Sequence, residues 1–153
     1  MFYRPTAALF LILALSGCSS IYEVRAVIVD GKVAFVPAQT DIWGEPDCIY
    51  NIYVSAEEGP PETPQAGDSV GMVENGVYWH EGFAVTSCEN PFPIVYGDPL
   101  KGPPFREGDG DRVKAKPLRV SVVYEVTTAS QGSAYGGGKF MITNQRKIVN
   151  LTS

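Results

Sequence analysis

The chain reads as all-β, a single β-sandwich of seven or eight short strands of the immunoglobulin-like or transthyretin-like kind. Three observations predict this. Apolar and polar residues alternate over short runs. Turn-forming residues punctuate those runs, with 16 Gly and 12 Pro in 153 residues. No segment holds a helical period long enough for a stable helix. A partly open barrel is the alternative architecture, because it also turns one face of every strand inward. A domain of about 130 residues buries about two-thirds of its unfolded surface, enough for one core.

The elements follow in order. Tyr22 to Val29 and Val33 to Val36 flank Asp30-Gly31-Lys32, and Asp-Gly accepts positive φ cheaply, so these runs predict a hairpin. Asp47 to Ser55 is rich in Ile, Tyr and Val and predicts a strand with Cys48 near its start. Glu57 to Ser69 has no apolar periodicity and predicts an exposed loop. Val70 to Val73 and Val77 to Trp79 bracket Glu74-Asn75-Gly76 as a second hairpin. Phe83 to Ser87 leads into Cys88, and Ile94 to Tyr96 is a short strand. Gly97 to Lys116 is the longest irregular stretch. Leu118 to Thr127 has the cleanest alternation, with Leu118, Val120, Val122, Tyr124 and Val126 on one face. A glycine-rich turn, Gly132 to Gly138, then connects to Lys139 to Thr143, and Lys147 to Leu151 can close the sheet.

The amino terminus carries an address. Arg4 is the only charge before an uninterrupted apolar run, Ala7 to Leu15, which is too short to span a bilayer core of roughly 20 residues. Its length suits the apolar region of a secretory signal. The run ends in Leu15-Ser16-Gly17-Cys18, which resembles the lipobox of bacterial lipoproteins. That resemblance implies cleavage before Cys18, a diacylglycerol on its thiol and an acyl chain, such as palmitate, on its new amino group. The expected organisation is a signal peptide over 1–17, a lipidated tether over 18–21 and a β-sandwich domain over 22–153. Ser19 after the modified cysteine, rather than aspartate, implies an outer-membrane anchor with the domain facing the periplasm. Two or three acyl chains hold a protein stably, where one is marginal.

Removing residues 1–17 leaves 136 residues and moves the net charge from −5 to −6. An acidic domain is a poor partner for nucleic acid, whose binding rests on neutralising phosphates. Of the three cysteines the anchor uses one. Cys48 and Cys88 remain, in a compartment where disulfides persist, and their simplest fate is a bond with each other. Two free thiols or a metal pair are the alternatives, and their spacing and lack of histidine neighbours argue against metal.

Chemistry is scarce. His80 is the one histidine, beside Trp79 and Glu81, and nothing in the sequence places a serine or an orienting group next to it. Zinc needs three or four ligands at workable spacing, which are missing. Glu107-Gly108-Asp109-Gly110-Asp111 alternates carboxylates with glycines as calcium loops do, without the terminal glutamate of a full loop. A solvated acidic loop is its plainer reading. Gly136-Gly137-Gly138 precedes no helix that could cradle phosphate. Asn150-Leu151-Thr152 matches a glycosylation sequon that a bacterial lipoprotein would not ordinarily use. No metal and no cofactor beyond the acyl chains on Cys18 is expected.

Aromatic residues offer another signal. Trp43, Tyr78 and Trp79 are candidates for partner contact, because Trp and Tyr give much binding energy with little entropy to lose. Acidic neighbours such as Asp41, Glu45, Glu57, Glu58 and Glu62 suit a basic protein.

The order of these features resembles a family of small type VI secretion immunity periplasmic lipoproteins. The resemblance rests on the lipobox, the hairpin from Val27 to Val36 and Cys48 with its Tyr/Ile strand. Cys88 followed by Pro93-Ile94-Val95-Tyr96-Gly97 and the late alternating strand from Leu118 to Val126 complete it. The insert from Gly97 to Lys116 departs from that compact pattern. The resemblance implies a protein that binds and neutralises a toxin arriving in the periplasm, and it brings no catalytic residues. The expected function is therefore a non-enzymatic, lipid-anchored protein-binding module. The alternatives are a structural or assembly lipoprotein of the envelope and a hydrolase whose site the sequence does not connect.

Overall fold

The computed structural model describes residues 20–38, 48–84, 88–103 and 111–152. The signal segment, Cys18, Trp43, Asp41, Glu45 and residues 107–110 of the acidic loop lie outside the described residues. Eight strands form one sheet: β1 (Ser20–Val29), β2 (Lys32–Pro37), β3 (Asn51–Ala56), β4 (Val77–Gly82), β5 (Ile94–Val95), β6 (Val123–Ser130), β7 (Ala134–Ile142) and β8 (Ile148–Leu151). One short helix, α1 (Val70–Glu74), precedes β4. The order across the sheet is β4-β3-β6-β7-β1-β2-β5, with β8 also on β7. The fold is all-β. Its single sheet curls into a half-barrel, the architecture that stood as the alternative to two stacked sheets.

The first hairpin forms as its turn chemistry requires. Asp30 (φ 49°) and Gly31 (φ 77°) make a two-residue turn with positive φ at both positions, and Val29 pairs with Lys32. β1 begins at Ser20, so ordered strand already occupies the last two residues of the expected tether. Its Tyr22, Val24 and Ala26 point inward, while Ile21, Glu23 and Arg25 point out.

The glycine triplet is strand rather than turn, because a second chain segment runs against it. β7 pairs with β6 over residues 134–141 on one edge. The other edge is shared: residues 134–137 take β1 in parallel, and 139–142 take β8 antiparallel. Gly138 sits where β1 departs, and a Cβ there would overlap the Val24 carbonyl oxygen. At Gly136 a Cβ would strike the Tyr22 ring and the Thr128 hydroxyl, which, with Ser130, hydrogen-bonds the Tyr22 phenol. Where β1 and β8 diverge, Asn150 bridges the gap. It accepts from the Ala26 N–H at 2.8 Å and donates to the Ala26 carbonyl at 2.9 Å, standing in for a strand partner. Gly138→Ala is expected to destabilise the domain by about 3 kcal/mol or more, since the obstacle is backbone that cannot rotate away. Chemical denaturation of the purified domain measures it, and a loss under 1 kcal/mol, roughly the cost of an ordinary surface change, would contradict the crossing.

The core fills the concave side. Phe35, Ile52, Val54, Tyr78, Trp79, Tyr124, Val126 and Phe140 are buried there. Edge-on and stacked aromatic pairs lock it, among them Tyr78 with Tyr124 at 5.0 Å and Trp79 with Tyr96 at 5.3 Å between centroids. A smaller cluster of Val73, Val77 and Val113 covers the outside of β3 and β4. This cluster explains one departure from expectation, and backbone geometry at Ser121 marks another. Val70 to Val73 forms a helical turn because that shape drops Val73 onto Val77 and Val113, while Val70 stays exposed. The residues from Leu118 to Val122 are not strand, since Ser121 takes φ 60° and Val120 is 46% exposed. Tyr124 and Val126 keep the inward phase as buried strand residues, and Leu118 and Val122, off the strand, still pack partly buried against the core.

Lys116 and Asp68 form an ion pair whose side chains are almost wholly withdrawn from solvent. Asp68 lies in the loop between β3 and α1, otherwise largely exposed as expected. The segment carrying Lys116 seals the free edge of β4. His80 and Val113 exchange backbone hydrogen bonds, and the Lys116 N–H donates to the Tyr78 carbonyl at 2.8 Å. Cys48 and Cys88 are disulfide-bonded, closing 40 positions of chain.

Candidate functional site

The strands give the domain two unlike ends. Along β6, Ser130 lies at the end where Ala134 and Ser20 meet, and Val123 lies at the other, roughly 24 Å away at strand rise. The Val123 end carries the acidic feature. β3 finishes at Ala56, whose N–H donates to the Gly76 carbonyl at 2.9 Å, and the Glu57 N–H donates to the Val123 carbonyl at 3.0 Å. After these two bonds the chain leaves the sheet through Gly59 (φ 131°) into Pro60-Pro61.

The result is a ridge, Glu57-Glu58-Gly59, with a hollow on each side. One hollow, of about 230 Å³, lies between the ridge, Pro60-Pro61 and the turn Glu74-Asn75-Gly76, with Tyr78 among its lining residues. The other, of about 330 Å³, lies against Ser121, Val122 and Val123. Glu57 is paired with Lys139, and Glu62 with Arg119 at 2.5 Å. Glu58 and Glu74 are exposed and have no cation partner among the described residues. Burial, followed by Tyr124 and Glu62, pushes the Tyr78 phenol well above its ordinary range, so it stays protonated.

Tyr78 and Trp79, expected as partner contacts, are almost wholly withdrawn from the surface. Their exposures are 2% and 0%, so both belong to the core. A register shift between Val54 and Ser55 places the two adjacent side chains inward together. Glu57 and Glu58 do reach the acidic end; Glu74 was missed, because as a turn residue it showed no link to a loop 16 positions earlier.

His80 lies on the opposite face of β4, half-buried. Asn51 Nδ2 donates to its Nε2 at 3.3 Å, and its ring meets Tyr53 edge-on at 5.6 Å. Burial pulls its pKa below the ordinary value, with Asp111 and Glu81 acting the other way, so the ring is neutral near pH 7. Glu81 faces away from that ring. It accepts from the Leu100 N–H at 2.9 Å and from Arg112 at 2.7 Å, which occupies both carboxylate oxygens. No group of three His, Cys, Asp or Glu that could hold a metal occurs among the described residues. Nor is any helix there long and apolar enough to cross a membrane.

The opposite end carries an exposed pair of large side chains. Ile21 pairs in register with Tyr135, and the two stand exposed side by side. Beside them a groove of about 440 Å³ runs over Gly137, whose missing side chain leaves its floor open, towards Glu23, Glu125 and Lys139. No family, curated protein or solved structure matches this chain.

Proposed function

We propose that this protein is a non-enzymatic binding module of the cell envelope, held by acyl chains on Cys18 and facing the periplasm. It engages a basic segment of another protein through the acidic ridge. The observation that carries the reading is the charge left over at that ridge: Glu58 and Glu74 flank one hollow with no cation partner among the described residues, while Glu57 and Glu62 nearby are neutralised. Uncompensated charge on a rim attracts and steers an oppositely charged partner. The ridge also stands at the end of the strands remote from Ser20, the end a membrane anchor leaves free. A toxin delivered to the periplasm is the partner class that the resemblance implies.

The test is capture from detergent-solubilised envelopes with the tagged, acylated protein, followed by affinity measurement on whatever is recovered. Reversing two charges with Glu58→Lys and Glu74→Lys is expected to weaken binding on the order of tenfold or more at low salt, and the difference should shrink as salt screens it. Binding unchanged by charge reversal, or no specific capture at all, would sink this reading.

A further inference from the structure

We propose that the end of the sheet where Ile21 and Tyr135 stand together rests on the bilayer surface and sets the orientation of the domain. The inference depends on the reading of Cys18 as the acylated residue. Ser19 alone separates Cys18 from the first residue of β1, and two extended steps of chain reach about 7 Å. Acyl chains on Cys18 therefore leave no spacer, and Ser20 and Ile21 must lie at the lipid headgroups.

The chemistry of that end fits the place. Ile21 is 83% exposed and Tyr135 51% exposed. In water their apolar surface stays wet; at headgroup depth the Ile21 side chain is dehydrated while the Tyr135 hydroxyl keeps its water, which is where tyrosine concentrates in membrane proteins. From Val126 to Gly138 the chain carries no Asp, Glu, Lys, Arg or His, a run of 13 residues in a sequence that is 19% charged. That run supplies the turn between β6 and β7 and the β7 residues beside Ile21. The nearest charges on β1, Glu23 and Arg25, are paired with each other at 3.0 Å. The acyl chains supply the attachment, and two side chains need only decide which way up the domain sits.

Nitroxide labels at Tyr135→Cys and, at the far turn between β7 and β8, at Gln145→Cys test the proposal. The protein is acylated and reconstituted in vesicles of phosphatidylethanolamine and phosphatidylglycerol. Mass spectrometry of the same sample reports the acyl chains. Oxygen partitions into lipid and a nickel chelate into water, so contact with the bilayer is read as loss of nickel access with gain of oxygen access at 135. Position 145 is expected to remain open to nickel, and Ile21→Glu to restore nickel access at 135. A label at 135 as open to nickel as that at 145 in acylated protein overturns the orientation while leaving the anchor intact. Shielding of 135 from both reagents overturns it too, since a second copy or another protein then covers the patch. A sample without acyl chains instead defeats the anchor reading itself.

Discussion

Lys116→Met is expected to destabilise the domain by about 3 kcal/mol, because it strands the Asp68 carboxylate without its cation. Both side chains are sealed from water, at 2% exposure for Lys116 and 0% for Asp68. The seal is a thin one at the margin of the fold, which places the cost at the lower end for a broken buried pair. Asp68 does more than balance the lysine. It accepts from the Lys114 N–H at 2.8 Å and the Gln65 N–H at 2.6 Å, tying the loop before α1 to the segment that closes the edge of β4. Replacing both partners, as Lys116→Met with Asp68→Leu, removes the stranded charge but also the two hydrogen bonds that tie Gln65 and Lys114 to Asp68. The double variant should regain only part of the loss. Chemical denaturation of Lys116→Met, Asp68→Leu and the double variant gives the cycle, and additive losses would mean that the pair is not coupled.

The same pair sets an acid limit. Burial alone would raise the Asp68 pKa, but the Lys116 ammonium and the Lys114 and Gln65 N–H groups outweigh it and hold the carboxyl below the ordinary aspartate value. A carboxyl with a lowered folded pKa contributes stability that is complete above its unfolded value, near 4, and disappears as pH falls through the folded value. Wild type should therefore lose stability in that acid window more steeply than Asp68→Asn, whose side chain does not titrate.

Local chemistry was legible in the sequence, and distant coincidence was not. Asp30-Gly31 announces its turn because two residues suffice to require positive φ. Cys48 and Cys88 announce their bond by number and by the oxidising compartment expected from the leader. The glycines at 136 and 138 looked like a turn because their reason, the crossing of β1 over β7, lies more than a hundred residues upstream. Val70 to Val73 is too short a run for its period to separate strand from helix, and Val113, which decides it, is 40 positions away. Tyr78 and Trp79 broke the alternation that would have put one of them outside. Of the acidic end, Glu57 and Glu58 were readable as charge, whereas the hollow they share with Glu74 exists only once Ala56 bonds to Gly76. Ile21 and Tyr135 each look unremarkable until parallel pairing sets them side by side.

Replacing Cys48 and Cys88 by alanine is expected to remove about 4 kcal/mol of stability. The loop that the bond closes spans 40 positions, and on the chain-entropy account its release returns that much freedom to the unfolded state. The folded state should change little, because other bonds already hold the two cysteine segments together. The Ile49 N–H donates to the Asn90 carbonyl at 3.0 Å. The Asn90 side chain donates to the carbonyls of Ile49 and Lys101 and accepts from the Lys101 N–H at 2.7 Å. The effect therefore belongs to the unfolded chain, and this has a signature. The unfolding midpoint should drop by on the order of 10 °C or more, while circular dichroism of the folded alanine variant overlays that of wild type. A variant that keeps its midpoint would show that the unfolded chain is already compact around this loop. A variant that loses its folded spectrum would instead place the bond within the architecture, with the Asn90 clamp too weak to hold the segments alone.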